Sequence, residues 1–230
     1  MRVYVALTMI FFIALDVNNL KNQIVILSLH QLKVEITKHM KLTEYKIVLA
    51  SNSPRRKELL SGIDVEYELR TLPDIEESFP AALPHEQVAE YLACKKAEAY
   101  LSALNEEELL ITADTIVLLD GKILGKPADF KEAAVMLHTL AGKQHRVITG
   151  VCMVTSHKKY HFSDTTHVTF GTLSDEEIEY YLTNYSPLDK AGSYGVQEWI
   201  GYVAVERIEG SYFNVMGLPI HKIYSALKLF

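Results

Sequence analysis

From Met40 onward, short apolar runs alternate with segments of helical periodicity. "KIVLA" ends in a Ser/Asn/Ser turn, which predicts a strand over Ile47–Ala50. Ser53 then suits an N-cap and Pro54 the first helical position, with Leu59 and Leu60 inward and Gly62 at the end. "VEYELRTL" (Val65 to Leu72) reads as a strand, and the acidic "PDIEESFPAALP" as a proline-punctuated loop. A helix is expected over His85 to Leu104, with Val88, Leu92, Ala99 and Ala103 on one face. "ELLITADTIVLLDGKIL" reads as a strand, a hairpin turn at Asp120–Gly121 and a return strand. Helix follows from Asp129 to Leu140, closed by Gly142, and then come two β-rich runs, "HRVITGVCMVT" and "YHFSDTTHVTF". Ser174 with Glu177 forms a capping box for a helix to about Asn184. A Gly-punctuated loop, a strand at "GYVAVERI" and a helix at "LPIHKIYSALKL" complete the chain. This alternation predicts an α/β fold with a mixed sheet flanked by helices.

The start of the chain differs. Val3 to Leu15 is an apolar run, shorter than the roughly 18 residues of a membrane span. No small-x-small cleavage site follows it. Residues 1–39 are therefore expected to be a non-functional extension, with one globular domain over 40–230. At 230 residues, 49% of them hydrophobic, the chain has ample core for that domain. Its net charge of -6 argues against binding nucleic acid or an anionic membrane. Cys94 and Cys152 form no C-x-x-C pair, so buried thiols in a reducing cytoplasm are expected.

Against that acidic background, Arg55, Arg56 and Lys57 sit together at the start of a helix. A helix N-terminus already carries partial positive charge, so local stability favours Asp or Glu there. Cations beside free backbone N–H groups and the hydroxyls of Ser51 and Ser53 suit a bound anion; a solvated basic turn is the alternative. Asp114 lies inside "LLITADTIVLL", where a carboxylate costs several kcal/mol unless paired, hydrogen-bonded or metal-bound. The plainer alternatives are an edge-strand Asp reaching solvent or a bulge where the strand changes direction, but an acidic residue in such a run needs a partner, which favours a functional role. Glu76 and Glu77 are candidates to share Mg²⁺ or Mn²⁺ with it. Lys96, four residues after Leu92, either snorkels over the core or points its ammonium into a pocket. Lys126 in "GKPAD" and Lys190 in "DKAGSYGVQ" lie in further loops, the latter with two glycines that let backbone approach a ligand. No Walker loop, Rossmann glycine pattern, G-x-S-x-G or zinc-type histidine spacing occurs.

"SNSPRR", "KKA", "TADTIV", "GKPAD", "DKAGSYGVQ" and "GSYFNVMGLPI" stand in an order and spacing that resemble the Maf family of nucleoside triphosphate pyrophosphatases, over about residues 46 to 227. The resemblance implies a fold like inosine triphosphate pyrophosphatase, and metal-dependent hydrolysis of a nucleoside triphosphate to the monophosphate and pyrophosphate. It implies Asp114 as proton acceptor, with Lys96 and Glu77 in the catalytic group and a divalent cation on Glu77 and Asp114. It places Arg55, Thr115 and Gln197 at substrate-selectivity positions, and Ser51, Ser53, Arg56 and Lys126 on the phosphates. The branch it resembles acts on dTTP and UTP, in cleansing of the nucleotide pool with a link to cell-division arrest. A 7-methyl-GTP pyrophosphatase and a nucleotide-sensing regulator of septum formation are the alternatives. The nucleoside triphosphate is the expected partner, with a homodimer as the candidate assembly and neither nucleic acid nor membrane. One departure is "EWI" (Glu198–Ile200), where many members have glycine after the glutamine; it is expected to alter the rim of the base pocket. Trp199 and Tyr194 are candidates to narrow that pocket against purines.

Overall fold

The computed structural model describes residues 42–72 and 75–230, so the expectation for residues 1–39 lies outside the described residues. Strand β1 (Lys46–Leu49) is buried after its first residue and leads through the Ser/Asn/Ser turn into helix α1 (Pro54–Ser61). The Ser53 hydroxyl accepts from the Arg56 N–H, and Leu59 and Leu60 are the buried pair. Strand β2 is confined to Tyr67–Leu69, because only those residues find partners on the short β1. Helix α2 (His85–Glu98) stops earlier than its periodicity suggests. Ala99 and Ala103 are exposed, and the inward face is instead Val88, Ala89, Leu92, Ala93 and Ala97.

Strand β3 (Glu108–Leu119) turns at Asp120 and Gly121 into β4 (Lys122–Leu124). Both turn residues have positive φ (50° and 75°), which is what the type I′ hairpin demands and Asp-Gly supplies. Asp129 caps α3 (Phe130–Leu140), accepting from the Glu132 N–H at 2.8 Å. Strands β5 (Gln144–Val154) and β6 (Lys159–Phe170) form a long antiparallel pair. The capping box of Ser174 and Glu177 opens α4 (Asp175–Asn184).

The strand expected at "GYVAVERI" divides: its first part is helix α5 (Trp199–Ala204), and strand β7 spans Val205–Glu209. At Gly201 the chain folds back so tightly that a Cβ would lie 1.8 Å from the Val196 carbonyl oxygen, a turn only glycine allows. Helices α6 (Tyr212–Met216) and α7 (Ile220–Leu227) end the chain.

The seven strands form one sheet in the order β2-β1-β3-β5-β6-β7, with β4 on the edge of β3. Pairings β1–β2 and β1–β3 are parallel and the others antiparallel, so the sheet is mixed as expected. Helix α2 lies across β3 and β5. It comes closest at Gly150, where a Cβ would meet the Ala89 and Glu90 backbone at 2.3 Å. Gly150 is the cross-strand partner of Asp114, so the same contact sets α2 directly over that carboxylate. Among the described residues no helix is long and apolar enough to cross a membrane.

The edge of β3 that faces β1 has a gap. Strand β1 pairs with it only over Glu108–Ile111, and β4 only over Val117–Leu119. Between them the edge has no strand partner. Asp114 is thus on a central strand, yet beside an opening at the carboxyl end of a parallel strand, where α/β sheets place their ligands.

Candidate active site

A cavity of about 630 Å³ occupies that opening, within the range of small-molecule sites. All ten site residues expected from the sequence line it: Ser51, Ser53, Arg55, Arg56, Glu77, Lys96, Asp114, Thr115, Lys126 and Gln197. They come from six separated segments, and the gap in the sheet brings them together.

Asp114 is only 8% exposed, and its Oδ1 accepts a short hydrogen bond from Lys96 Nζ. The same ammonium lies 2.7 Å from Glu77 Oε1, so Lys96 bridges the two carboxylates. Its ammonium therefore points into the cavity. Burial raises the pKa of the Glu77 carboxyl, but its bond to Lys96 and the charges of Lys96, Lys126 and Arg56 hold it below the ordinary value. Lys126, on the exposed loop after β4, stands 4.0 Å from Glu77. Glu76 turns away; it is exposed and pairs with Lys95 at 3.7 Å.

Arg56 fills the unpaired edge of β3. It donates to the carbonyls of Ala113 and Gly217, both at 2.8 Å, and to the Thr115 hydroxyl at 3.1 Å. Burial lowers its pKa, partly countered by Asp114. With three N–H groups spent on the protein, it is a fixed charge with donors to spare for a ligand. Thr115 bonds Thr149 as well, at 2.9 Å, so its hydroxyl serves mainly to hold Arg56. The Ser51 and Ser53 oxygens accept from backbone N–H groups at 3.2 and 3.5 Å, which leaves both hydroxyl protons free to donate.

Arg55 pairs with Asp189 at 2.9 Å. Burial raises the pKa of the Asp189 carboxyl, but its bonds to Lys190 and Arg55 bring it below its usual range. Nothing local in the sequence marks Asp189, because its partner lies 134 positions away. Lys190 differs from expectation: it is buried, and its ammonium is spent on Asp189 at 2.8 Å and Glu198 at 3.1 Å. The glycines of its loop serve packing. A Cβ at Gly192 would strike Val117 at 2.9 Å, and one at Gly195 would strike Glu198 at 2.7 Å.

Gln197 Oε1 is buried and has no hydrogen-bond partner among the described residues. Tyr194 also lines the cavity, with its hydroxyl 2.7 Å from His145 Nε2. Trp199 does not; its ring packs on Tyr180 at 4.8 Å, so it narrows nothing. None of Glu198, Trp199 and Ile200 lines the cavity, so the "EWI" departure lies off the rim of the pocket.

Residues 46–230 match the model of the Maf-like protein family. The chain belongs to that family. A dTTP/UTP pyrophosphatase of Phocaeicola vulgatus is 58% identical over 187 residues, covering 81% of this chain and 97% of that one. Another of that name from Porphyromonas gingivalis is 59% identical over 191 residues, covering 82% and 96%. Among solved structures, a HAM1 protein of Coxiella burnetii is similar at a TM-score of 0.45 and 15% identity, over 81% of this chain and 100% of that one. A nucleoside-triphosphatase of Mycobacterium abscessus has a TM-score of 0.39 and 17% identity, over 79% and 93%. Those two likenesses are too loose to carry detail; the family rests on the sequence match.

Among the described residues no three His, Cys, Asp or Glu side chains converge as a metal cage. Asp114 and Glu77 do converge, held together by Lys96. Mg²⁺ is commonly held by one or two carboxylates with substrate phosphates supplying further oxygens. The pair fits a cation that arrives with a triphosphate.

Proposed function

We propose that this protein hydrolyses dTTP and UTP to the nucleoside monophosphate and pyrophosphate. The observation that carries the reading is a cavity lined by the Lys96-bridged carboxylates, the Ser51–Arg56 turn and Gln197. The names of the Phocaeicola and Porphyromonas relatives support it. The free thiols Cys94 and Cys152 support the cytoplasm as its compartment.

In the mechanism, the triphosphate lies against the α1 N-terminus. The Ser51 and Ser53 hydroxyls, the remaining Arg56 donors and Lys126 neutralise its oxygens. Lys96 occupies Asp114 Oδ1 and leaves Oδ2 to accept the proton of the water that attacks the α-phosphorus. Asp114 and Glu77 would hold a divalent cation, which supplies Lewis-acid neutralisation of the phosphate oxygens. Because Arg56 is already fixed by three hydrogen bonds, little reorganisation is needed as charge moves to the departing pyrophosphate.

At the base, uracil and thymine present an N3–H between two carbonyls. The Gln197 amide suits that N3–H, and Arg55 suits a carbonyl; both side chains belong to residues that line the cavity. Cytosine offers an unprotonated N3, which leaves the buried Gln197 oxygen unmet. The test is pyrophosphate release from UTP, dTTP, CTP, ATP, GTP and 7-methyl-GTP with Mg²⁺. UTP and dTTP are expected well ahead of the rest. A preference for 7-methyl-GTP would overturn the base assignment, and tight binding with no turnover would favour the sensor.

A further inference from the structure

Gln197 is flanked by two residues that converge on one hydroxyl. The Gly195 N–H donates to the Tyr181 oxygen at 3.1 Å, and the Tyr181 hydroxyl donates to Glu198 Oε2 in a short hydrogen bond. The other oxygen of Glu198 meets Lys190 Nζ at 3.1 Å; Lys190 meets Asp189 at 2.8 Å; Asp189 meets Arg55 at 2.9 Å. An unbroken polar chain therefore runs from α4 behind the cavity to Arg55 in front of it. Tyr181 and Lys190 are buried, and Glu198 keeps only 20% of its side chain exposed.

Burying a charged pair with a carboxylate and a hydroxyl gives little net stability over apolar packing, but it fixes geometry. What it fixes here is the one segment carrying Gln197. Gly195 has no Cβ, and the Glu198 carboxyl group packs in the space one would fill. Tyr181 is held by its own ring, stacked on Tyr185 at 5.1 Å and 21°. The anchor thus belongs to a helix that lines no part of the cavity.

We propose that Glu198 and Tyr181 are positioning residues for base selection: together they clamp both sides of Gln197 and, through Lys190 and Asp189, set Arg55. This rests on the reading of Gln197 and Arg55 as the base-reading pair.

The experiment measures kcat and KM for UTP and CTP in wild type, Tyr181→Phe, Glu198→Gln and Glu198→Ala, with thermal melting of each. Tyr181→Phe keeps the ring and removes only the hydroxyl. It and Glu198→Ala are expected to raise KM for UTP and to cut the UTP-over-CTP preference by about tenfold, the scale of one hydrogen bond to a charged group. kcat for UTP should stay within about twofold, because the carboxylates and Lys96 are untouched. Glu198→Gln, which can still accept from Tyr181, should recover much of the preference. Variants that melt lower yet keep wild-type KM and preference would overturn the proposal and leave a structural role. Equal losses in kcat for both nucleotides would overturn it too. If Tyr181→Phe does not fold, the two Glu198 variants decide by the same criteria. A wild type indifferent to UTP and CTP would instead overturn the base-reading assignment, and that result is visible before any variant is made.

Discussion

Lys96 stands between two carboxylates, one of them almost buried, and its removal does two separable things. Lys96→Met abolishes the bridge and strands Asp114 as a buried charge, a change that costs roughly 3 kcal/mol or more. Asp114→Asn removes the proposed proton acceptor and should lower turnover at least about a hundredfold while nucleotide still binds. Joining the two substitutions restores the electrostatic balance. The double variant is expected to melt above Lys96→Met yet remain as inactive as Asp114→Asn. Additive losses of stability would show that the pair is not coupled. His145 gives a second prediction at this scale. Burial lowers its pKa from 6.5 to about 4, and its ring sits edge-on between Phe170 and Tyr194. The folded protein thus refuses a proton that the unfolded chain accepts. Stability is full above pH 6.5 and falls as pH drops toward 4, by about 3 kcal/mol in all. Denaturation midpoints across that interval should follow this slope, and His145→Gln should flatten it; an unchanged slope would assign the effect elsewhere.

At the scale of elements, the close approach of α2 to β5 sets the catalytic geometry. Gly150→Ala puts a methyl group 2.3 Å from the α2 backbone, so the helix must lift away and take Lys96 with it. A loss of about 1–3 kcal/mol is expected from such overpacking, with a disproportionate fall in turnover. A stable, fully active Gly150→Ala protein would show that α2 does not register the site. Elements whose signals are local were legible in the sequence: the Ser53 cap, the Asp120–Gly121 hairpin and the Ser174–Glu177 box all lie where expected. Those whose limits depend on neighbours were not. Helix α2 ends at Glu98 although its pattern continues, and β2 is cut short by the length of β1. The first residues of "GYVAVERI" curl into α5 because of a backbone contact at Gly201 that no periodicity encodes.

In the whole molecule, chemistry follows from an interruption of the sheet. A parallel strand leaves β3 at Ile111 and an antiparallel one joins it at Val117, and the cavity proposed for the triphosphate fills the interval. Part of that site is conspicuous in the sequence alone, namely Asp114 in an apolar run and the cations at a helix start, whereas Thr115 and Gln197 stand out only through the family resemblance. The sequence does not carry the partnerships. That Arg56 holds a strand edge, that Lys190 serves Glu198 and that Asp189 meets Arg55 depend on long-range contacts. The central claim is attack of water at the α-phosphorus with pyrophosphate leaving. Hydrolysis of UTP in ¹⁸O-labelled water under single-turnover conditions, with products resolved by mass, tests it most directly. The label is expected in UMP, with unlabelled pyrophosphate; label in pyrophosphate or in orthophosphate would contradict it.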